Sequence, residues 1–199
     1  FNPDDVEHAV VYAGDHTSLS DCKLTVPGVY LATLGLLYVN NISVEVENVL
    51  FDGNFNAGST GVLVNGPDSS GSVVRNCRFQ RLWNGIWAVG SAANITRNFF
   101  KDILNDAVFV FLSAMKQSGS GLTLLLGNSQ EIEATGLNTF DAATVQGKCL
   151  NNLMEIEVKA EMNDWGLYSA SAIQAKLSGP VDFEPFIGKT IGAGTVLVA

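Results

Sequence analysis

The chain has 199 residues, 47% of them apolar and 16% charged, with eleven Lys and Arg against twenty Asp and Glu for a net charge of −9. Apolar content on that scale excludes intrinsic disorder, and the acidic balance argues against a nucleic-acid binder, which needs a concentrated basic face. The sequence holds no run of about eighteen uninterrupted apolar residues, so no helical membrane span is expected.

Residues 1–39 contain strand-like pieces at Ala9–Tyr12, Val29–Leu31 and Leu36–Val39. They are expected to form atypical first rungs, or a cap, ahead of a repeat region at 40–166. The chain opens on Phe1 with no signal peptide, so either a leader has been removed or the sequence is cut from a longer protein.

The middle of the chain repeats. An Asn followed by an aromatic residue recurs in Asn48-Val49-Leu50-Phe51, Asn76-Cys77-Arg78-Phe79, Asn98-Phe99-Phe100, Asn138-Thr139-Phe140 and Asn163-Asp164-Trp165. The aromatic positions are 28, 21, 40 and 25 residues apart. A rung of 21 to 28 residues fits three of these gaps, and the gap of 40 holds either two short rungs or one rung plus an insertion at Ser113–Gly121. Asn56, Asn84 and Asn105 each follow their Phe by five residues, and short alternating strands such as Ile86–Val89 and Ala107–Phe111 come next.

This pattern predicts an all-β fold, a right-handed parallel β-helix in which stacked rungs bury each other's inner faces. Phe51, Phe79, Phe100 and Phe140 should pile up inside, offset or edge-on. Asn56, Asn84 and Asn105 should bond across successive turns. The competing fold is an antiparallel β-sandwich. Residues 167–199 read as a closing segment: helical spacing at Ala170–Leu177, then an edge strand at Thr195–Val198.

The segments VENVLFDGN, VVRNCRFQRLWNGIWAV and ITRNFFKDILNDAVFVF resemble the repeat of pectin-lyase-like parallel β-helices. The stretch from Asn163-Asp164-Trp165-Gly166 to Gly179-Pro180-Val181-Asp182-Phe183-Glu184-Pro185 is similar to the ending of secreted bacterial members of that group. The likeness covers roughly residues 40–187 at the level of the repeat and implies fold more strongly than chemistry. It implies an extracellular or cell-surface protein acting on polysaccharide.

The catalytic motifs of the group's polygalacturonases and pectate lyases are missing, so cleavage finds no support in them. Asp4-Asp5 lies in an N-terminal loop, and Gly14-Asp15-His16-Thr17-Ser18-Leu19-Ser20 matches a lyase stretch only faintly. Asp52, Asp102, Asp106 and Asp141 lie near the Phe positions and are expected to form an outward carboxylate row, suited to binding calcium, to acting on sugar, or simply solvated. Calcium is chemically compatible with that row but no EF-hand or nonapeptide calcium loop supports it, and His8 and His16 have no third partner at metal spacing for zinc, so no cofactor is assigned. Cys22, Cys77 and Cys149 are too few for a disulfide framework and read as buried thiols.

The richest candidate site is Arg78, Arg81, Trp83, Trp87 and Lys101, with Arg97 in the same stretch. If Ile86 and Ala88 face the core, Trp87 faces outward and offers a flat ring to a sugar, while the cations select uronic or sulfated residues. A non-catalytic structural or adhesive β-helix, of a cell surface, envelope or phage-like fibre, is the alternative. An oligomer-forming scaffold is a third reading, because Phe109 and Phe111 cannot face inward together with Val108 and Val110.

Overall fold

The computed structural model describes residues 9–14, 17–26, 34–69, 71–91, 93–111, 125–127, 136–188 and 197–198. Asp4, Asp5, His8, His16, the strand at Val29–Leu31 and the insertion at Ser113–Gly121 lie outside them.

Five complete coils each supply three short strands. The first is Ala9–Tyr12, Ser18–Ser20 and Lys23–Thr25, and the second is Leu34–Asn40, Glu45–Glu47 and Leu50–Asp52. The third is Ser59–Asn65, Val73–Arg75 and Arg78–Gln80, and the fourth is Asn84–Val89, Asn94–Thr96 and Phe99–Lys101. The fifth is Val108–Phe111, Leu125–Gly127 and Thr139–Phe140.

Each strand pairs in parallel with its counterpart one coil away, giving three faces. Sheet A gathers the first strand of each coil and ends in Leu150–Asn152 and Leu177–Ser178. Sheet B gathers the second strands and ends in Val158–Ala160 and Val181–Asp182. Sheet C gathers the third strands and then shrinks to single bridges, Thr139 to Asp164 to Ile187. The architecture is a parallel β-helix and not a sandwich. Among the described strands the single antiparallel pair is Phe186–Ile187 with Leu197–Val198, at the end where an edge strand was expected. Helix α1 (Ala170–Ala175), which Ser169 caps by accepting from the Ala172 N–H, lays the fully buried Ile173 on the last coil.

The core explains the repeat. Strand register places Leu24, Phe51, Phe79, Phe100 and Phe140 in one inward column, and Trp165 stacks on Phe140. From Phe51 to Trp165 consecutive ring centroids lie 4.7–4.9 Å apart with planes within 4–9° of parallel. That distance is the strand spacing itself. In-register pairing repeats one rotamer coil after coil, so the rings stack in parallel and none is edge-on. Phe100 and Phe140 are direct neighbours, so the 40-residue gap is one coil with an insertion. Facing the rings, Gly61 and Gly85 leave room: a Cβ there would come within 2.7 Å of the Phe79 ring and 2.9 Å of the Phe100 ring.

The recurring Asn occupies two different columns. Asn48 and Asn76 share a left-handed corner with Asp21, Arg97, Leu137 and Met162, all with φ between 48° and 60°. Asn tolerates this conformation better than most residues. Asn98, Asn138 and Asn163 sit one residue later and point inward, in line with Cys77 and Val49, and are 0–1% exposed. The Oδ1 of Asn138 accepts from the Asn98 N–H at 2.9 Å, and its Nδ2 donates to Asn163 Oδ1 at 2.9 Å and to the Ile95 carbonyl at 2.8 Å. Asn163 Oδ1 in turn accepts from the Asn138 N–H at 2.9 Å, and Asn98 Oδ1 from the Cys77 N–H at 2.9 Å. The ladder therefore hands backbone donors from coil to coil around a corner too tight for ordinary strand pairing. Of the other set, Asn105 donates to Asn84 Oδ1 at 2.9 Å, and Asn56 is buried in a longer turn.

Candidate functional site

The outer face of sheet C carries two rows flanking the ring column. One row is Lys23, Leu50, Arg78, Phe99 and Thr139; the other is Thr25, Asp52, Gln80 and Lys101. Arg78 is exposed, its guanidinium 4.9 Å from the Phe99 ring centroid and its Nε donating to Gln80 Oε1 at 2.9 Å. Lys101, half-buried, is one coil from Gln80 in the second row.

Beyond these rows the chain turns a corner toward sheet A. Arg81 stands there in the left-handed conformation, with φ 53°. Its Nε donates to Asp52 Oδ1 at 2.9 Å, its Nη2 bonds Asp52 Oδ2, and its guanidinium lies 5.8 Å from the Phe55 ring centroid. Phe55 and Trp83 project from this corner, 55% and 37% exposed. Backbone bonds hold both in place: the Phe55 N–H donates to the Arg81 carbonyl at 2.8 Å, and the Trp83 N–H to Ser59 Oγ at 3.2 Å.

Trp87 does point outward, as alternation requires, but from a different sheet. It lies on sheet A in register with Leu63 and Phe109, half-buried, its ring edge-on to Phe109 at 5.1 Å. It packs with Tyr38, Leu63 and Val89. The five predicted residues therefore divide: Arg78, Arg81, Trp83 and Lys101 share sheet C and its corner, while Trp87 belongs to another face. Phe55 and Phe99 join the site although the sequence reading passed over both. The alternation in Asn98-Phe99-Phe100-Lys101 marks Phe99 as outward once Phe100 is inward; nothing local marks Phe55.

The expected row of four carboxylates does not form. Asp52 lines up with Gln80 and Lys101, whereas Asp102 falls one residue later, in the left-handed corner beside Arg81. Asp106 is 5% exposed at the start of sheet A, where it accepts from the Lys148 N–H and from Asn151 Nδ2, both at 2.8 Å. Asp141 follows Phe140 and opens a turn, its carbonyl accepting from Thr144 Oγ1 at 3.1 Å. Asp141 keeps after Phe140 the place that Asp52 holds after Phe51, three coils away with Gln80 and Lys101 between them, whereas Asp102 is one residue out and Asp106 belongs to sheet A.

Asp52 is only 1% exposed although its strand position faces outward, because Arg81, Gln80 and Lys23 close over it. Burial pushes its carboxyl up, but hydrogen bonds from Arg81, the Asn54 N–H and Gln80, with the Arg81 charge, outweigh burial and hold it at about 2. A carboxyl depressed in the folded state contributes stability above its unfolded value, about 3.9, and loses it as pH falls through the folded one. Wild type should therefore lose on the order of 2 kcal/mol from this group between about pH 4 and pH 2. Urea titrations across that window check it: Asp52→Asn should flatten that part of the profile, and an unchanged slope would remove Asp52 as its source.

Of the three thiols expected to be buried, Cys77 and Cys149 are, and burial pushes them up to about 11 and about 12, whereas Cys22 in the first coil is only half-buried. Among the described residues no group of three or more His, Cys, Asp or Glu side chains is placed to hold a metal ion. Comparison with models of known families, with curated proteins and with solved structures finds no match to this chain.

Proposed function

We propose that the chain is a β-helix module of pectin-lyase-like type, extracellular or at the cell surface, that binds an acidic polysaccharide across sheet C and its corner. The observation that supports this is the exposed Phe55 ring beside Arg81, with Trp83 exposed at the same corner and Arg78 and Lys101 on the adjoining face of sheet C, on a chain of net charge −9. Sugar C–H faces covering the rings would remove apolar area from water at roughly 25 cal/mol per Å². Arg78 and Lys101 would meet carboxylates or sulfates, while Arg81, held by Asp52, would act chiefly as a rigid edge to the site. The reading is one of binding, since Asp52 is tied into its ion pair and Asp106 into backbone and amide bonds.

A glycan panel tests it. Uronic or sulfated chains should bind and neutral ones should not, and affinity should fall as salt rises. Trp83→Ala should weaken binding about tenfold, roughly 1.4 kcal/mol, with little change in melting temperature. Trp87→Ala should leave affinity unchanged. Equal retention of neutral chains, or no effect of Trp83→Ala, would count against the site; absorbance of unsaturated uronic ends in the same incubations reports cleavage separately.

The continuous ring and Asn columns favour a second reading, a structural or adhesive β-helix without a glycan ligand. Under it the panel returns no binding while the fold remains fully stable.

A further inference from the structure

The cations of the described residues fall into two groups. Lys23, Arg75, Arg81 and Lys159 pair with carboxylates, and the ammonium groups of Lys148 and Lys176 donate to main-chain carbonyls. Arg78, Arg97 and Lys101 have no carboxylate of the described residues at ion-pair distance. A chain of net charge −9 thus leaves three positive charges uncompensated, and all three belong to the third and fourth coils.

Their places line up across the coils. Arg97 is exposed in the left-handed corner between sheets B and C, with φ 57°, and its N–H donates to the Gly136 carbonyl at 2.7 Å. Arg78 shares the next outward row with Phe99, and Lys101 the one after with Gln80. Arg81 and Trp83 stand at the far corner. From Arg97 to Lys101 the chain advances four residues, at most about 13 Å. Along the axis the same two rows hold Leu50 and Asp52 in the second coil and Thr139 and Asp141 in the fifth. The Asp141 N–H donates to the Phe100 carbonyl at 2.9 Å, which sets Asp141 directly beside Lys101 in the next coil.

On the reading of sheet C as a site for an acidic polysaccharide, we infer that the bound chain runs across the coils, along the strands of the third and fourth, with Arg97 as its outer anchor. Charge decides the direction. A polyanion laid along the axis leaves the cations within one coil and meets the Asp141 carboxylate, and like charges brought together oppose binding. A transverse chain meets Arg97, Arg78 and Lys101 in turn and reaches the Trp83 ring. Three cations within about 13 Å call for as many anions over that length, so the ligand is a polymer charged at every sugar, not one charged at long intervals.

Calorimetry on the whole chain tests this with free uronic oligosaccharides of increasing length and with their methyl esters. Affinity should rise with length and level off once the ligand spans Arg97 to Trp83, and the esters should bind about tenfold or more weakly. Arg97→Asn installs the residue that Asn48 and Asn76 already place in this corner, so the melt should not change. It should weaken the long oligosaccharides about three- to fivefold and flatten their salt dependence, and Arg97→Lys should restore most of the loss. Lys159→Gln on sheet B removes an equal charge and should leave affinity within about twofold of wild type. Lys23→Gln, in the first coil, reports the other direction. A loss there or at Lys159→Gln as large as at Arg97→Asn, wild-type affinity in Arg97→Asn, or esters that bind like free acids would each overturn the inference while leaving sheet C as the site. Binding of no acidic oligosaccharide at any length would instead remove the sheet C reading, and the transverse chain with it.

Discussion

Replacing Asn138 by Leu should lower the unfolding free energy by about 4 kcal/mol, a larger loss than an ordinary buried polar residue would give. The side chain is fully buried and stands between two like residues, so its removal strips partners from other coils. The Asn98 N–H loses its acceptor and the Ile95 carbonyl its donor, and both are sealed from water. Each stranded group costs about 1–3 kcal/mol, and the two methyl groups of Leu, similar in shape to the lost amide, repair neither. Asn105→Ala is the comparison, since that residue makes its bond to Asn84 at a half-buried position and should cost about 1 kcal/mol. Denaturant titration of the two variants checks the contrast. Equal small losses would mean that the Asn column is a passive filler and that the corner is held by the strands alone.

Phe100→Ala should cost about 3–5 kcal/mol, because it empties a fully enclosed position with a ring on either side. Phe79 and Phe140 each lose a stacking neighbour, and Gly85, which has no side chain, cannot fill the gap. Phe100→Leu should recover most of the loss, to within about 1.5 kcal/mol of wild type, as a swap that keeps the volume nearly filled. Leu24 already occupies the same column at its N-terminal end. Urea midpoints with near-ultraviolet dichroism in the Phe region measure both variants. Identical midpoints for Leu and Ala at this position would show that neighbouring coils collapse onto the space and that the stack is not a close-packed column.

The ring column was readable from sequence because Phe marks a single structural position in four successive coils, and only the ends, Leu24 and Trp165, depart from it. The Asn pattern was half readable. Its two columns are consecutive residues, so an Asn that shifts from the corner at Asn76 to the inward place at Asn98 still looks like one motif. Backbone φ separates them, and φ is not written in the spacing. The same one-residue ambiguity placed Asp102 in line with Asp52, when the turn at Arg81 and Asp102 takes a left-handed step between them. Trp87 was assigned the right direction and the wrong neighbours. Alternation gives the side of a strand, but which sheet a strand joins depends on where the corners fall.

The two ends of the described coil stack are not equivalent. At the C-terminal end Ile173, Phe183 and Phe186 are buried, and the Asn column runs through the coils beside them. In the first coil Leu19 and Leu24 are only half-buried, and the inward corner places are Cys22, then Val49, which pass no side-chain hydrogen bond along. A linear array whose units touch only their neighbours comes apart sequentially, and it starts where the coupling is weakest. The molecule is therefore built as a zipper with a direction. Loss of the first coil exposes Phe51 as the new end ring and leaves Phe79 to Trp165 untouched, so damage at one end is a shortening of the rod and not its collapse.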